Sequence, residues 1–288
     1  MDVKHSTTLW LEATRPKTLL ASLAPLVLAF AMAYKQGTYN ISLCLWTLLS
    51  ALLIQILTNF ANDYYDYLKG ADTPKRIGPR RLLQTGALLP YQVRRALIAM
   101  PLAIILSLIP LIQRGGWSIV LLGVIAILLA FAYTAGPFAL AYTGWGDIVV
   151  FLSFGPLAVA SALYIQTLQW NTTALLTGLI PGSISTAILI ANNLRDFESD
   201  QTAQKRTLVV RWGRFWGTIE YIGCLILPIV ITLLQAQYIT ASIGSLFAAL
   251  LIASVCRAKI APDYIPLLGK TALFNFLYCL SLALEWSL

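Results

Sequence analysis

Apolar runs long enough to cross a lipid bilayer recur along almost the whole chain, and this feature constrains the fold more than any other. Each run spans about 17 to 25 residues, the length a helix needs to traverse ~30 Å of hydrocarbon. Hydrophobic residues make up 58% of the chain and charged residues only 11%, where a soluble domain carries roughly 25% charged. The alternating segments of about ten residues that mark outer-membrane barrels do not occur. The sequence therefore predicts an all-α, polytopic membrane protein that forms a single domain over residues 1–288.

Nine spans in one bundle are expected, near Thr18–Tyr34, Ile41–Asp66, Gln92–Ile112, Trp117–Thr134, Gly146–Ile165, Thr172–Arg195, Phe215–Leu234, Ile239–Cys256 and Lys270–Trp286. Pro25, Pro110, Pro156, Pro181 and Pro228 fall inside these spans and should kink or unwind them, which neighbouring helices can absorb. Basic residues, an apolar run and Ala31-Met32-Ala33 give the first span some likeness to a cleavable signal. It is read as retained, because the bundle would otherwise lack one helix.

Charge sets the expected orientation. Lys4, Arg15 and Lys17 precede the first span, and Lys69, Lys75, Arg76, Arg80, Arg81, Arg94 and Arg95 lie between the second and third. Arg195, Lys205, Arg206, Arg211 and Arg214 follow the sixth, and Arg257, Lys259 and Lys270 lie between the eighth and ninth. With nine spans all of these share one face, leaving Lys35 and Arg114 opposite. The positive-inside bias then puts the N-terminus in the cytoplasm, with the protein in the cell's inner (plasma) membrane. The same bias accounts for the net charge of +8, so nucleic acid is not an expected partner.

Two acidic stretches close apolar runs on that face. Asn59 to Asp72 ends the second span, with Asn62 and Asp66 one helical turn apart, Asp63 on a neighbouring stripe, and Asp72 just beyond a helix stop at Gly70. Asn192 to Asp200 ends the sixth, placing Asn192, Asp196 and Asp200 at i, i+4 and i+8. Spans two and six are the positions that duplication of a four-helix unit would pair, although outside Asn-x-x-x-Asp the repeat is faint. Of twelve acids in the chain, six fall here: Asp63, Asp66, Asp72, Asp196, Glu198 and Asp200.

Clustered carboxylates repel unless a cation neutralises them. Mg²⁺ takes oxygen ligands and bridges carboxylates to substrate phosphates, so Asp63, Asp66, Asp72, Asp196 and Asp200 are the metal candidates. Asn62 and Asn192 can supply neutral oxygens. Lys69, Lys75, Arg76, Arg80 and Arg81 follow the first stretch, Arg195, Lys205 and Arg206 accompany the second, and such cations neutralise a departing phosphate. A diphosphate on a lipid-like chain would explain a site at a membrane surface. The allylic cation left behind needs a water-poor, aromatic-lined pocket, for which Tyr64, Tyr65, Tyr133, Phe138, Tyr142, Phe151 and Phe154 are available. His5 is the only histidine, which excludes histidine-based catalysis and haem or zinc-histidine centres. The four cysteines sit inside apolar runs without C-x-x-C spacing and read as buried hydrophobes.

These motifs resemble the UbiA superfamily of intramembrane aromatic prenyltransferases over nearly the whole chain. The resemblance is carried by Arg15-Pro16-Lys17-Thr18-Leu19, Asn62-Asp63-Tyr64-Tyr65-Asp66 with Gly70 and Asp72, and Arg76-Ile77-Gly78-Pro79-Arg80. Tyr133-Thr134-Ala135-Gly136-Pro137, Gly144-Trp145-Gly146-Asp147 and Phe154-Gly155-Pro156 continue it, then Asn192-Asn193-Leu194-Arg195-Asp196 through Asp200, and Lys205-Arg206-Thr207-Leu208. Within the superfamily the chain is most similar to the 1,4-dihydroxy-2-naphthoate prenyltransferases of the menaquinone and phylloquinone branch. The resemblance implies a nine-helix bundle with a lateral opening to lipid and a cytoplasmic cap formed by the 2–3 and 6–7 loops. It implies Mg²⁺-dependent transfer from a polyprenyl or phytyl diphosphate to an aromatic acid, with no obligatory protein partner evident. It implies Mg²⁺ and diphosphate held by Asn62, Asp66 and Asp72 from one side and by Asn192, Asp196 and Asp200 from the other. Asp66, Asp196, Lys69 and Arg195 would carry the chemistry, and Asn62, Asn192, Arg80, Lys205, Tyr133 and Tyr65 would bind substrate, Tyr133 beside the prenyl chain. Two positions depart from the branch: Gln204 stands where Gly usually precedes Lys205, and Ala135 stands at a usual Gly.

Other readings remain open at this point. 4-Hydroxybenzoate, homogentisate and a tetrapyrrole are alternative acceptors. A cation-coupled transporter would place its ionisable groups near mid-membrane on broken helices, whereas these acids stand at helix ends among bases. A CDP-alcohol phosphotransferase would carry D-G-x-x-A-R, which is absent.

Overall fold

The two helices that carry the acidic motifs begin in the same way. Asn40 caps one by accepting from the Leu43 N–H at 3.2 Å, and Asn171 caps the other by accepting from the Ala174 N–H at 3.2 Å. The computed structural model describes residues 3–71, 77, 78 and 80–286, and among these every regular element is helical. In chain order the α-helices are α1 (Val3–Ala13), α2 (Pro16–Lys35), α3 (Ile41–Leu68), α4 (Pro90–Gly115), α5 (Trp117–Ala132), α6 (Gly146–Ser153), α7 (Pro156–Thr167), α8 (Thr172–Arg195), α9 (Phe197–Thr202), α10 (Leu208–Trp212), α11 (Arg214–Leu234), α12 (Tyr238–Arg257) and α13 (Tyr264–Glu285).

Among the described residues eight segments are long and apolar enough to cross a membrane, counting α6 with α7 as one; α5 is apolar but shorter, at 16 residues. The chain is a multi-pass membrane protein. The expected span Gly146–Ile165 is two helices, because Pro156 takes the first position of α7 and the chain breaks at Phe154 and Gly155. Pro25, Pro110, Pro181 and Pro228 instead lie within uninterrupted helices. The Asn275 amide on α13 also donates to the Pro181 carbonyl at 3.5 Å, which ties that helix to its neighbour. The last helix starts at Tyr264, six residues before the expected Lys270. Pro266 is tolerated in its first turn, and Tyr264 and Leu267, one turn apart, are both buried.

The apolar core has two large parts. One joins α3, α4, α5 and α1 through residues such as Leu57, Phe60, Leu97, Ile104 and Ala130. The other joins α8, α11, α12 and α13 with α2, through Ile184, Ile190, Tyr221, Leu225 and Leu282. At the seam α8 packs on α7 and α6, and glycine makes that approach possible. A Cβ on Gly178 would stand 2.6 Å from the Pro156 Cα, and one on Gly155 would stand 2.7 Å from the Gly182 Cα. Small residues four apart on α8 thus let two backbones meet, the device by which membrane helices associate.

Candidate active site

The end of α3 is fixed by a Schellman turn. The Ala71 N–H donates to the Asp66 carbonyl at 3.0 Å and the Gly70 N–H to that of Tyr67 at 3.1 Å, with Gly70 at φ +65°. This turn stops the helix directly after the acidic stripe. Asp63 Oδ1 accepts from Arg15 at 2.7 Å and from the Arg81 guanidinium, whose other nitrogen reaches Asp66 Oδ2 at 3.1 Å. Asp63, Asp66 and Arg81 are all buried. Arg15 stands at φ +52° immediately before Pro16, a left-handed conformation held where its side chain reaches Asp63.

The second stretch follows the same logic at the end of α8. Arg195 donates to both oxygens of Asp196, at 2.7 and 2.6 Å, and to Asn192 Oδ1 at 2.6 Å. Asp196 itself leaves the helical region, so Asp200 belongs to α9 rather than to one unbroken helix. The Asp200 N–H still donates to the Asp196 carbonyl at 2.8 Å, which keeps the one-turn spacing. Lys205 Nζ lies 3.7 Å from Asp200.

Tyr142, in the turn between α5 and α6, joins the two stretches. Its hydroxyl donates to Asp66 Oδ1 at 2.8 Å, and its ring centroid lies 4.1 Å from Lys69 Nζ and 5.5 Å from Lys205 Nζ. Its carbonyl accepts from the Arg206 N–H at 3.0 Å. A Cβ on Gly78 would meet the Arg195 guanidinium at 3.2 Å, so Gly78 lies against the second stretch. The ends of α3 and α8 therefore share one end of the bundle.

The remaining expected residues occupy definite places. Asn62 accepts from Thr134 at 3.1 Å, and Lys69 Nζ donates to the carbonyls of Thr134 at 2.7 Å and Gly136 at 3.1 Å. Burial lowers the Lys69 pKa; Asp66 opposes that shift and Lys205 adds to it. Tyr133 turns its hydroxyl inward beside Gly146, and burial raises its pKa, reinforced by Asp147, Asp66 and Asp200. Tyr65 packs edge-on to Tyr64 against the first core cluster. Arg80 is exposed, while its neighbour Arg81 carries the bridge between Asp63 and Asp66. Phe138 is 84% exposed. Asp72 lies outside the described residues.

The sequence model of the UbiA prenyltransferase family matches residues 22–264. The chain belongs to the UbiA prenyltransferase family. It is 38% identical over 224 residues to the 1,4-dihydroxy-2-naphthoate octaprenyltransferase of Escherichia coli (strain K12), covering 76% of this chain and 72% of that one. It is 31% identical to the enzyme of the same name from Mycobacterium tuberculosis, over 95% of each. The 2-carboxy-1,4-naphthoquinone phytyltransferase of Synechocystis is 30% identical, over 86% of this chain and 75% of that one. Among solved structures, a UbiA homologue from Archaeoglobus fulgidus bound to DMAPP and Mg²⁺ has the same fold, with a TM-score of 0.68 at 14% identity. That match covers 97% of this chain and 99% of the other.

For this UbiA-family chain the residues can be tested against the metal they imply. Asp66, Asp196, Asp200, Asn62 and Asn192 offer only oxygen donors, with no imidazole or thiolate among them, which fits Mg²⁺. Among the described residues no three of His, Cys, Asp or Glu are grouped closely enough to hold a metal. Instead Arg81 and Arg195 supply the positive charge, one at each acidic stretch. The sequence places Arg81 among the cations and Tyr142 among the pocket aromatics, but not the Tyr142 hydrogen bond to Asp66 or the ion pairs of Arg15 and Arg81 with Asp63. Position beside the resembling motifs was the available signal for the arginines, but it does not choose between Arg80 and Arg81.

Proposed function

We propose that this protein transfers a prenyl group from a polyprenyl or phytyl diphosphate to 1,4-dihydroxy-2-naphthoate, with loss of CO₂ and diphosphate, giving demethylmenaquinol. The observation that carries this reading is the meeting of two acid-bearing helix ends through Tyr142, ringed by Lys69, Arg81, Arg195 and Lys205. The named activities of the relatives at 31% and 38% identity support the same acceptor.

The residues divide the work. Asp66, Asp196 and Asp200, with Asn62, Asn192 and Asp72, would hold Mg²⁺, which when bound supplies positive charge to the departing diphosphate. Lys69, Arg195 and Lys205, with Arg80 and Arg81, bind the phosphate oxygens. Asp63 keeps Arg15 and Arg81 in place. Tyr133 and Tyr65 flank the prenyl side, and the aromatic lining limits access of water to the allylic cation. The allylic C–O bond breaks with its electron pair leaving on diphosphate. The ring carbon bearing the carboxylate forms the new C–C bond, and the electrons of the breaking C–CO₂ bond restore the aromatic ring.

The reading also includes nine crossings of the inner membrane by one domain over residues 1–288. The far end of α4 meets α7, where Tyr164 donates to the Gly115 carbonyl at 3.1 Å. The turn after α5 is back beside Lys69 and Asn62. This supports α5 as a crossing of about 24 Å. The N-terminus and the site then face the cytoplasm, capped by the 2–3 and 6–7 loops, in line with the basic loops there.

Product mass spectrometry tests the reading. Purified protein is offered one prenyl diphosphate with 1,4-dihydroxy-2-naphthoate, 4-hydroxybenzoate or homogentisate. A prenylated, decarboxylated naphthoquinol is expected; a product formed only from another acid would contradict the assignment.

A further inference from the structure

Asp147, in the first turn of α6, is an acid outside both aspartate stretches and has no part in the division of work above. It is 4% exposed, and its Oδ1 has no hydrogen-bond partner among the described residues. It lines a cavity of about 10 Å³ together with Tyr133, Asn193, Lys205 and Thr207. A buried carboxylate oxygen left without a hydrogen bond is costly, more so at a membrane, and such groups mark functional positions. A carboxylate in the first turn does favour the helix dipole, but that leaves Oδ1 unoccupied. The cavity has room for about one oxygen-sized group and none for an aromatic ring. Lys205 forms one wall and lies 3.7 Å from Asp200, so the cavity adjoins the diphosphate end of the site.

We infer that Asp147 accepts a hydrogen bond from a ring hydroxyl of the aromatic acceptor, with the hydroxyl oxygen entering this cavity and the ring remaining outside it. The inference rests on the prenyl-transfer reading above and adds a specificity residue to it. A hydroxyl that donates to a carboxylate pushes electron density into its ring and makes the adjacent ring carbon a better nucleophile. The proton stays on the acceptor's oxygen, so the balance of the reaction is unchanged. The ligand class is an arene with a free hydroxyl beside the reacting carbon.

The test compares the full-length wild type with Asp147→Ala and Asp147→Asn, using 1,4-dihydroxy-2-naphthoate and its 1-methyl ether. A hydrogen bond to a charged group predicts that Asp147→Ala raises the acceptor KM about tenfold or more, with the prenyl diphosphate KM within about twofold of wild type. Asp147→Asn, which keeps an acceptor oxygen without the charge, should fall between. Wild type should prefer the free hydroxyl over the methyl ether, and Asp147→Ala should lose most of that preference. An unchanged acceptor KM, equal rises in both KM values, or undiminished discrimination in a folded variant would overturn the inference; the last would mean the cavity holds only water. Failure of wild type to prenylate any aromatic acid would overturn the parent reading as well, whereas normal wild-type turnover with an unaffected variant overturns this inference alone.

Discussion

The Tyr142 hydroxyl donates to Asp66 at 2.8 Å while the Tyr142 ring lies under the ammonium groups of Lys69 and Lys205. One residue from the turn before α6 thus touches the first acidic stretch and the cation that pairs with the second. Tyr142→Phe keeps the ring and removes the donor, so turnover is expected to fall about tenfold. Tyr142→Ala removes both and should fall further. Steady-state assays of the two variants measure the difference, and wild-type activity in both would separate Tyr142 from the site.

Asp63 differs from its neighbours in serving two guanidiniums at once. Asp63→Ala should destabilise the protein by about 3–5 kcal/mol, because it leaves buried Arg81 without this partner. Thermal unfolding in detergent checks this. A loss of Mg²⁺ dependence with an unchanged Tm would instead make Asp63 a metal ligand.

Gly178 and Gly182 allow α8 to meet the break between α6 and α7. Gly178→Ala places a methyl against the Pro156 backbone, which has no flexible end to yield, and should cost about 1–3 kcal/mol. Gly223 has open space around its missing Cβ, so Gly223→Ala serves as the control in the same melting experiment.

Chelation should silence the enzyme. Activity is expected to vanish with EDTA and to return with Mg²⁺, as oxygen-only donors require. Turnover that persists in EDTA would contradict the metal role.

Local spacing made the two acidic stretches legible, because Asn-x-x-x-Asp at the end of an apolar run means one turn of a helix wherever it occurs. The Gly70 stop was legible for the same reason. The choice between Arg80 and Arg81 was not, since adjacent loop residues differ only in which way the chain turns, and only Arg81 points into Asp63 and Asp66. The break after Asp196 was hidden because the one-turn hydrogen bond survives it. The departure at Gln204 now has a physical meaning. It closes a Schellman turn like that of Gly70 but at φ +56° with a side chain, a conformation that glycine adopts without penalty. Ala135 is not among the positive-φ residues, so a Cβ there carries no such penalty.

The most direct measurement is binding of a non-reactive prenyl diphosphate analogue, with and without Mg²⁺, to wild type, Asp66→Asn, Asp196→Asn and the double variant. If both helix ends grip one diphosphate, each single change should remove the Mg²⁺-dependent affinity, and the double variant should be no weaker than either alone, the non-additivity of residues that share a ligand. Full Mg²⁺-dependent affinity in either single variant, or strictly additive losses in the double, would contradict a shared site.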